Sequence, residues 1–130
     1  MEIDGLSQPY AASVNFDEYQ YLPGEHHVTY LFDDGLETME NMFQGSSQIL
    51  EISFLNFQEN NYVQSMDSTF TGISGLTSIN LANFRSSNLT SMLGTFSVCG
   101  RLETIDFTNF DTSLVTTMES LFSEDSNSSL

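Results

Sequence analysis

Phe43, Phe70, Phe96 and Phe122 stand 27, 26 and 26 residues apart, and no other feature constrains the chain as strongly. Met39, Met66, Met92 and Met118 keep the same spacing, each four residues ahead of its phenylalanine. Phe57, Phe84 and Phe110 follow it too, each preceded by an asparagine (Asn56, Asn83, Asn109), as do Ile52, Ile79 and Ile105. Self-similarity at a fixed period of this size marks stacked repeats, in which each unit buries its apolar face only against its neighbours.

Half of each unit alternates. Leu76-Thr77-Ser78-Ile79-Asn80-Leu81 puts Ile79 and Leu81 on one side of a strand and Ser78 and Asn80 on the other. Ile52 with Phe54, and Ile105 with Phe107, repeat the inward pair. The other half is a return path in which Val63, Met66 and Phe70 recur at i, i+3 and i+7, which predicts a short helical turn, 3₁₀ or α. The expected fold class is therefore a β-rich repeat solenoid with a parallel strand and a short helical turn per unit of about 26 residues.

Residues 76–96 (LTSINLANFRSSNLTSMLGTF) and 102–122 (LETIDFTNFDTSLVTTMESLF) resemble the repeat of BspA-type leucine-rich-repeat surface proteins. The likeness extends over residues 24–122; the Gly-Cys that follows the Met-Phe turn in that family is Gly45-Ser46, Gly72-Ile73 and Val98-Cys99 here, so only one copy keeps the cysteine. The resemblance implies a surface-exposed or secreted protein used in adhesion, without catalysis, and a buried role for Cys99.

Residues 1–38 do not repeat. Val14, Phe16, Tyr19 and Tyr21 suggest one strand and Val28, Tyr30 and Phe32 a second, with a Pro23-Gly24 turn between them. This β-hairpin is expected to cap the repeats at 39–122, since a bare repeat end exposes core and strand edge. Residues 123–130 form a Ser-rich acidic tail or the start of a further repeat. Without a capping sequence after Phe122, the last repeat is expected to leave Phe107, Phe110, Met118 and Phe122 as an open assembly end. A second copy docking there head to tail would build filaments; an excised piece of a longer array is the other explanation.

Eighteen carboxylates face two arginines and no lysine, for a formal net charge of −16. That field repels phosphate backbones and anionic membrane surfaces, so neither nucleic-acid binding nor membrane insertion is expected. No apolar run reaches the roughly 18 residues of a membrane span. The single cysteine excludes an internal disulfide. The chain shows no nucleophile–histidine pattern, phosphate loop or metal-ligand spacing, so no catalytic residue, metal site or cofactor is expected. His26 and His27 are adjacent and would point to opposite faces of a strand. Asp33-Asp34 and scattered carboxylates give a weak calcium signal without a recognisable binding loop.

The asparagine column is expected to form an internal ladder of amides. Asn88 and Asn127 sit in N-x-S/T triplets and are the candidate glycosylation sites. The remaining candidates are the outward strand positions Glu51, Ser53, Ser78, Asn80, Thr104, Asp106 and Thr108, since stacked repeats use such sheet faces for binding. Taken with the resemblance, these residues suggest a non-enzymatic extracellular or cell-surface module whose partner is a protein, a glycan or a copy of itself. A filament-forming structural subunit and a calcium-dependent binding protein are the alternatives.

Overall fold

Every repeat holds the next by its backbone. Met39, Asn41, Phe43 and Gly45 donate their N–H groups to the carbonyls of Ser65, Asp67, Thr69 and Thr71. Met66, Ser68, Phe70 and Gly72 donate in the same way to Ser91, Leu93, Thr95 and Ser97, and Met92, Gly94, Phe96 and Val98 to Thr117, Glu119, Leu121 and Ser123. All twelve bonds measure 2.7–3.0 Å. The computed structural model describes residues 36–54 and 62–124, together with the backbone pairing of three short strands nearer the N-terminus.

Those three strands, β1 (Glu2–Ile3), β2 (Leu6–Ser7) and β3 (Val28–Thr29), form an antiparallel sheet in the order β2-β1-β3. The expected hairpin is thus met only at Val28–Thr29, and its partner there is Glu2–Ile3. Its other arm, 14–21, and the Pro23-Gly24 turn lie outside the described residues.

In the repeats, β4 (Glu51–Ser53), β5 (Ser78–Asn80) and β6 (Thr104–Asp106) make a three-stranded parallel sheet with Ile52, Ile79 and Ile105 in one register. Parallel pairing follows from the repeat, because equivalent residues can stack only if every strand runs the same way. Isolated parallel bridges join Thr38, Ser65, Ser91 and Thr117 on the opposite wall.

Between the two walls the phenylalanine column stacks face to face. Ring centroids lie 5.8 Å apart for Phe43 and Phe70, 5.5 Å for Phe70 and Phe96, and 5.4 Å for Phe96 and Phe122. Met39, Met66, Met92, Leu76, Leu81 and Leu89 are buried beside them. These columns bury large apolar side chains at roughly 1.5–3 kcal/mol each, and they form one continuous core.

The return path differs from the helical turn its spacing predicts: among the described residues there is no helix. Met42, Gln44 and Ser46 donate to the residue three earlier (Met39, Asn41, Phe43), closing a chain of turns. The intervening amides are already committed to the next repeat. A helix would claim every N–H for its own chain. Left-handed backbone enforces the choice: Asn41, Ser68, Gly94 and Ser120, equivalent in every repeat, have φ of 57°, 53°, 60° and 53°. Serial positive φ is incompatible with a right-handed helix.

The asparagine column is also corrected. Asn83 and Asn109 are exposed, and Asn109 sits at φ 63° in a surface turn, a conformation its short amide tolerates; Asn56 lies outside the described residues. Threonine supplies the internal ladder instead. The fully buried hydroxyls of Thr69 and Thr95 donate to the carbonyls of Met39 (2.8 Å) and Met66 (2.9 Å) in the preceding repeat.

Candidate functional site

Two surfaces emerge from this stacking. The first is the outer face of β4–β6, where inward isoleucines force their neighbours outward. Pairing aligns Glu51 with Ser78 and Thr104 in one row, and Ser53 with Asn80 and Asp106 in a second. Glu51, Ser53, Asn80, Thr104 and Asp106 are exposed and Ser78 is half-buried, so these six expected binding residues share one polar face, while Thr108 is exposed in the turn that follows β6.

Two of them carry an additional duty. Asn80 Oδ1 accepts the N–H of Ala82, and Asp106 Oδ1 the N–H of Thr108, both at 2.9 Å. Each side chain folds over the end of its own strand and starts the turn towards the return path. The Thr108 hydroxyl, and after it the Thr108 amide, stabilises the ionised Asp106 carboxylate and holds its pKa below the ordinary aspartate value. The Ser113 amide, which donates to Asp111 Oδ1 at 2.8 Å, and after it the Ser113 hydroxyl hold the Asp111 pKa down likewise.

The second surface is the face of the last described repeat, 102–124. Met92 is 1% exposed and its equivalent Met118 is 42%; Phe96 is 2% exposed and Phe122 is 55%. Phe107, equivalent to the fully buried Leu81, is exposed as well, while Phe110 is half-buried against Phe84 with centroids 5.8 Å apart. Phe107 and Phe110 meet edge to face at 5.3 Å. Sequence reasoning missed Leu114, which is exposed at this end too. A polar equivalent, Asn88, hid it from the column pattern. A shallow cavity of about 280 Å3 opens on the same face, between Leu102 and Ile105 on one side and Phe96 and Phe122 on the other.

The backbone of this end is left open as well. Among the described residues, the N–H groups of Met118, Ser120 and Phe122 have no acceptor, although their equivalents in every earlier repeat donate to the next one. Glu103 and Glu119 stand exposed on this repeat.

Other candidates are quickly placed. Cys99 is buried, its Sγ donating to the carbonyl of Phe70 at 3.0 Å, and burial pushes its thiol pKa up. It behaves as a small apolar residue rather than a nucleophile. Asn88 is half-buried; in its triplet Leu89 is fully buried and the Thr90 hydroxyl donates to the carbonyl of Gln64. Among the described residues no three His, Cys, Asp or Glu side chains come together as a metal site. His26, His27, Asp33, Asp34 and Asn127 lie outside the described residues.

Residues 35–129 match the family described as "Mycoplasma protein of unknown function, DUF285". No curated protein and no solved structure matches the chain.

Proposed function

The chain belongs to this Mycoplasma family of unknown function, DUF285, within the BspA-like and mycoplasma repeat group, and from that membership and the geometry above we propose a non-enzymatic binding module of the cell surface. In this reading the repeats are successive coils of a leucine-rich-repeat-like solenoid, with the N-terminal strands as its cap. The outer face of β4–β6 engages a protein or glycan on an opposing surface. The resemblance of residues 24–122 to BspA-type repeats supports the surface role.

The observation that carries the reading is the alignment of outward side chains into two uninterrupted rows, Glu51–Ser78–Thr104 and Ser53–Asn80–Asp106. A rigid sheet face presents such rows without further ordering cost, which suits recognition of an extended or repetitive partner. The test is binding of the fluorescently labelled protein to intact cultured epithelial cells, compared with a Ser78→Arg/Thr104→Arg variant. These two positions are chosen because their side chains, unlike those of Asn80 and Asp106, do not close a strand end. Loss of cell binding at an unchanged melting temperature supports the reading. Undiminished binding by the folded variant refutes it.

A further inference from the structure

We propose that the outer face of β4–β6 takes a basic protein segment, held by two carboxylates, Glu51 and Asp106, at diagonally opposite corners of the face. The proposal rests on the strand-face reading and names the chemistry of its partner.

Both charges are surplus to the fold. Asp106 closes its strand end through Oδ1, but Asn80, its register partner on β5, makes the same 2.9 Å bond with a neutral amide. The turn therefore needs the oxygen and not the charge. Glu51 is exposed in a row whose other members are Ser78 and Thr104, so that row needs no carboxylate either. Asn80 is exposed although β4 and β6 flank it on both sides. Its row thus faces outward whatever follows β6.

The two charges stand apart. Glu51 and Asp106 are separated by two strand spacings across the sheet and two residues along it. At about 4.8 Å per spacing and 3.3 Å per residue, their backbone positions lie roughly 12 Å from each other. Between them the rows carry only hydroxyl and amide side chains, those of Ser53, Ser78, Asn80 and Thr104. The chain has no lysine, and its two arginines, Arg85 and Arg101, lie outside these strands.

A fitting partner carries two cations at that separation, joined by a backbone that can hydrogen-bond the side chains between them. An extended segment with basic residues four apart meets this, since four residues span about 13 Å. Arginine suits the site better than lysine, because its guanidinium can meet a carboxylate through two parallel hydrogen bonds. An anionic glycan is repelled by the pair and by the net charge of −16. A neutral glycan finds no aromatic side chain in the two rows on which a sugar ring could stack.

The probe is a seven-residue peptide with blocked ends and two arginines separated by three serines. It is titrated into the 15N-labelled protein at low ionic strength, with amide shifts followed by NMR. A peptide of the same composition with adjacent arginines is the comparison. The expected result is saturable binding with the largest shifts on β4–β6, and binding of the comparison peptide about threefold weaker. Glu51→Gln/Asp106→Asn removes both charges and keeps an acceptor oxygen at the strand end; it is expected to weaken binding about fivefold. Glu40→Gln/Glu119→Gln removes two exposed charges from the return path instead, and is expected to change binding by no more than about twofold.

Shifts spread over the whole surface, equal binding of the two peptides, or equal weakening by the two double variants would reveal only a general attraction to an acidic protein and overturn the proposal. So would an absence of shifts at saturating peptide. Suppose Ser78→Arg/Thr104→Arg loses cell binding while Glu51→Gln/Asp106→Asn keeps it in full: the strand-face reading then stands and the basic partner is ruled out. Abolition of cell binding by enzymatic removal of surface glycans would assign the face to a sugar and rule it out too. Undiminished cell binding by both variants would overturn both readings.

Discussion

Phe70 and Phe122 occupy equivalent places in one column, so replacing each by alanine isolates the effect of being stacked on both sides. Phe70 is fully buried and lies nearly parallel to Phe43 and Phe96, at 5.8 and 5.5 Å. It also meets Phe54 edge to face at 6.4 Å. Phe70→Ala removes a whole aromatic side chain from a closed core and leaves a cavity, at a cost of about 3–5 kcal/mol. Phe122 has Phe96 on one side only and is 55% exposed. Less than half of its transfer free energy is at stake and no closed cavity forms, so Phe122→Ala costs about 1 kcal/mol. The two variants are compared by urea unfolding followed by circular dichroism. At a slope of roughly 1–3 kcal/mol/M, the midpoint of Phe70→Ala falls below that of Phe122→Ala by about 1 M or more. Equal midpoints, or a larger loss at Phe122, would refute both the column and the open end.

Thr69→Val and Thr95→Val keep the side-chain shape but delete the buried hydroxyl that reaches the preceding repeat; each is expected to lower stability by about 1 kcal/mol, and an unchanged melting temperature for both would show that the ladder contributes nothing. The Asp106 and Asp111 carboxylates have folded pKa values below 3.8, so their contribution is complete above that value and is lost as pH falls through the lower folded value. NMR titration of their side-chain carbonyl carbons is expected to give midpoints under 3.8, and a midpoint at or above it would contradict the assigned Thr108 and Ser113 hydrogen bonds. The Cys99 thiol is expected to react with a disulfide reagent near neutral pH many times more slowly in the folded protein than in urea, and equal rates would show that it is not buried.

The phenylalanine and methionine columns were legible because a buried ladder demands the same large side chain in each repeat. The inward Ile52, Ile79 and Ile105 were legible because strand alternation has only two faces. The return path was not, since residues at i, i+3 and i+7 share a face in consecutive turns as well as in a helix. What separates the two is backbone handedness, which at the equivalent positions 41, 68, 94 and 120 is advertised by Gly94 and more weakly by Asn41; Ser68 and Ser120 adopt the same φ behind ordinary side chains. Thr69 and Thr95 escaped because apolar periodicity assigns polar residues to the surface, whereas a hydroxyl that finds a carbonyl is tolerated in a core. The asparagines were misplaced for the complementary reason: a recurrent polar residue can serve a turn as readily as a ladder. At the two candidate surfaces, strand alternation identified the rows of the outer face. The donor row of the open end belongs to the main chain, which side-chain patterns do not report.

Amide hydrogen exchange followed by NMR tests most directly whether each described repeat is held by backbone bonds to its successor. Met92, Gly94 and Phe96 donate to Thr117, Glu119 and Leu121 and are expected to exchange slowly. Met118, Ser120 and Phe122, their equivalents, are expected to exchange orders of magnitude faster. Equal protection of the two sets in the dilute, isolated protein would mean that each repeat satisfies its own amides or that the end is already covered, and would contradict the account.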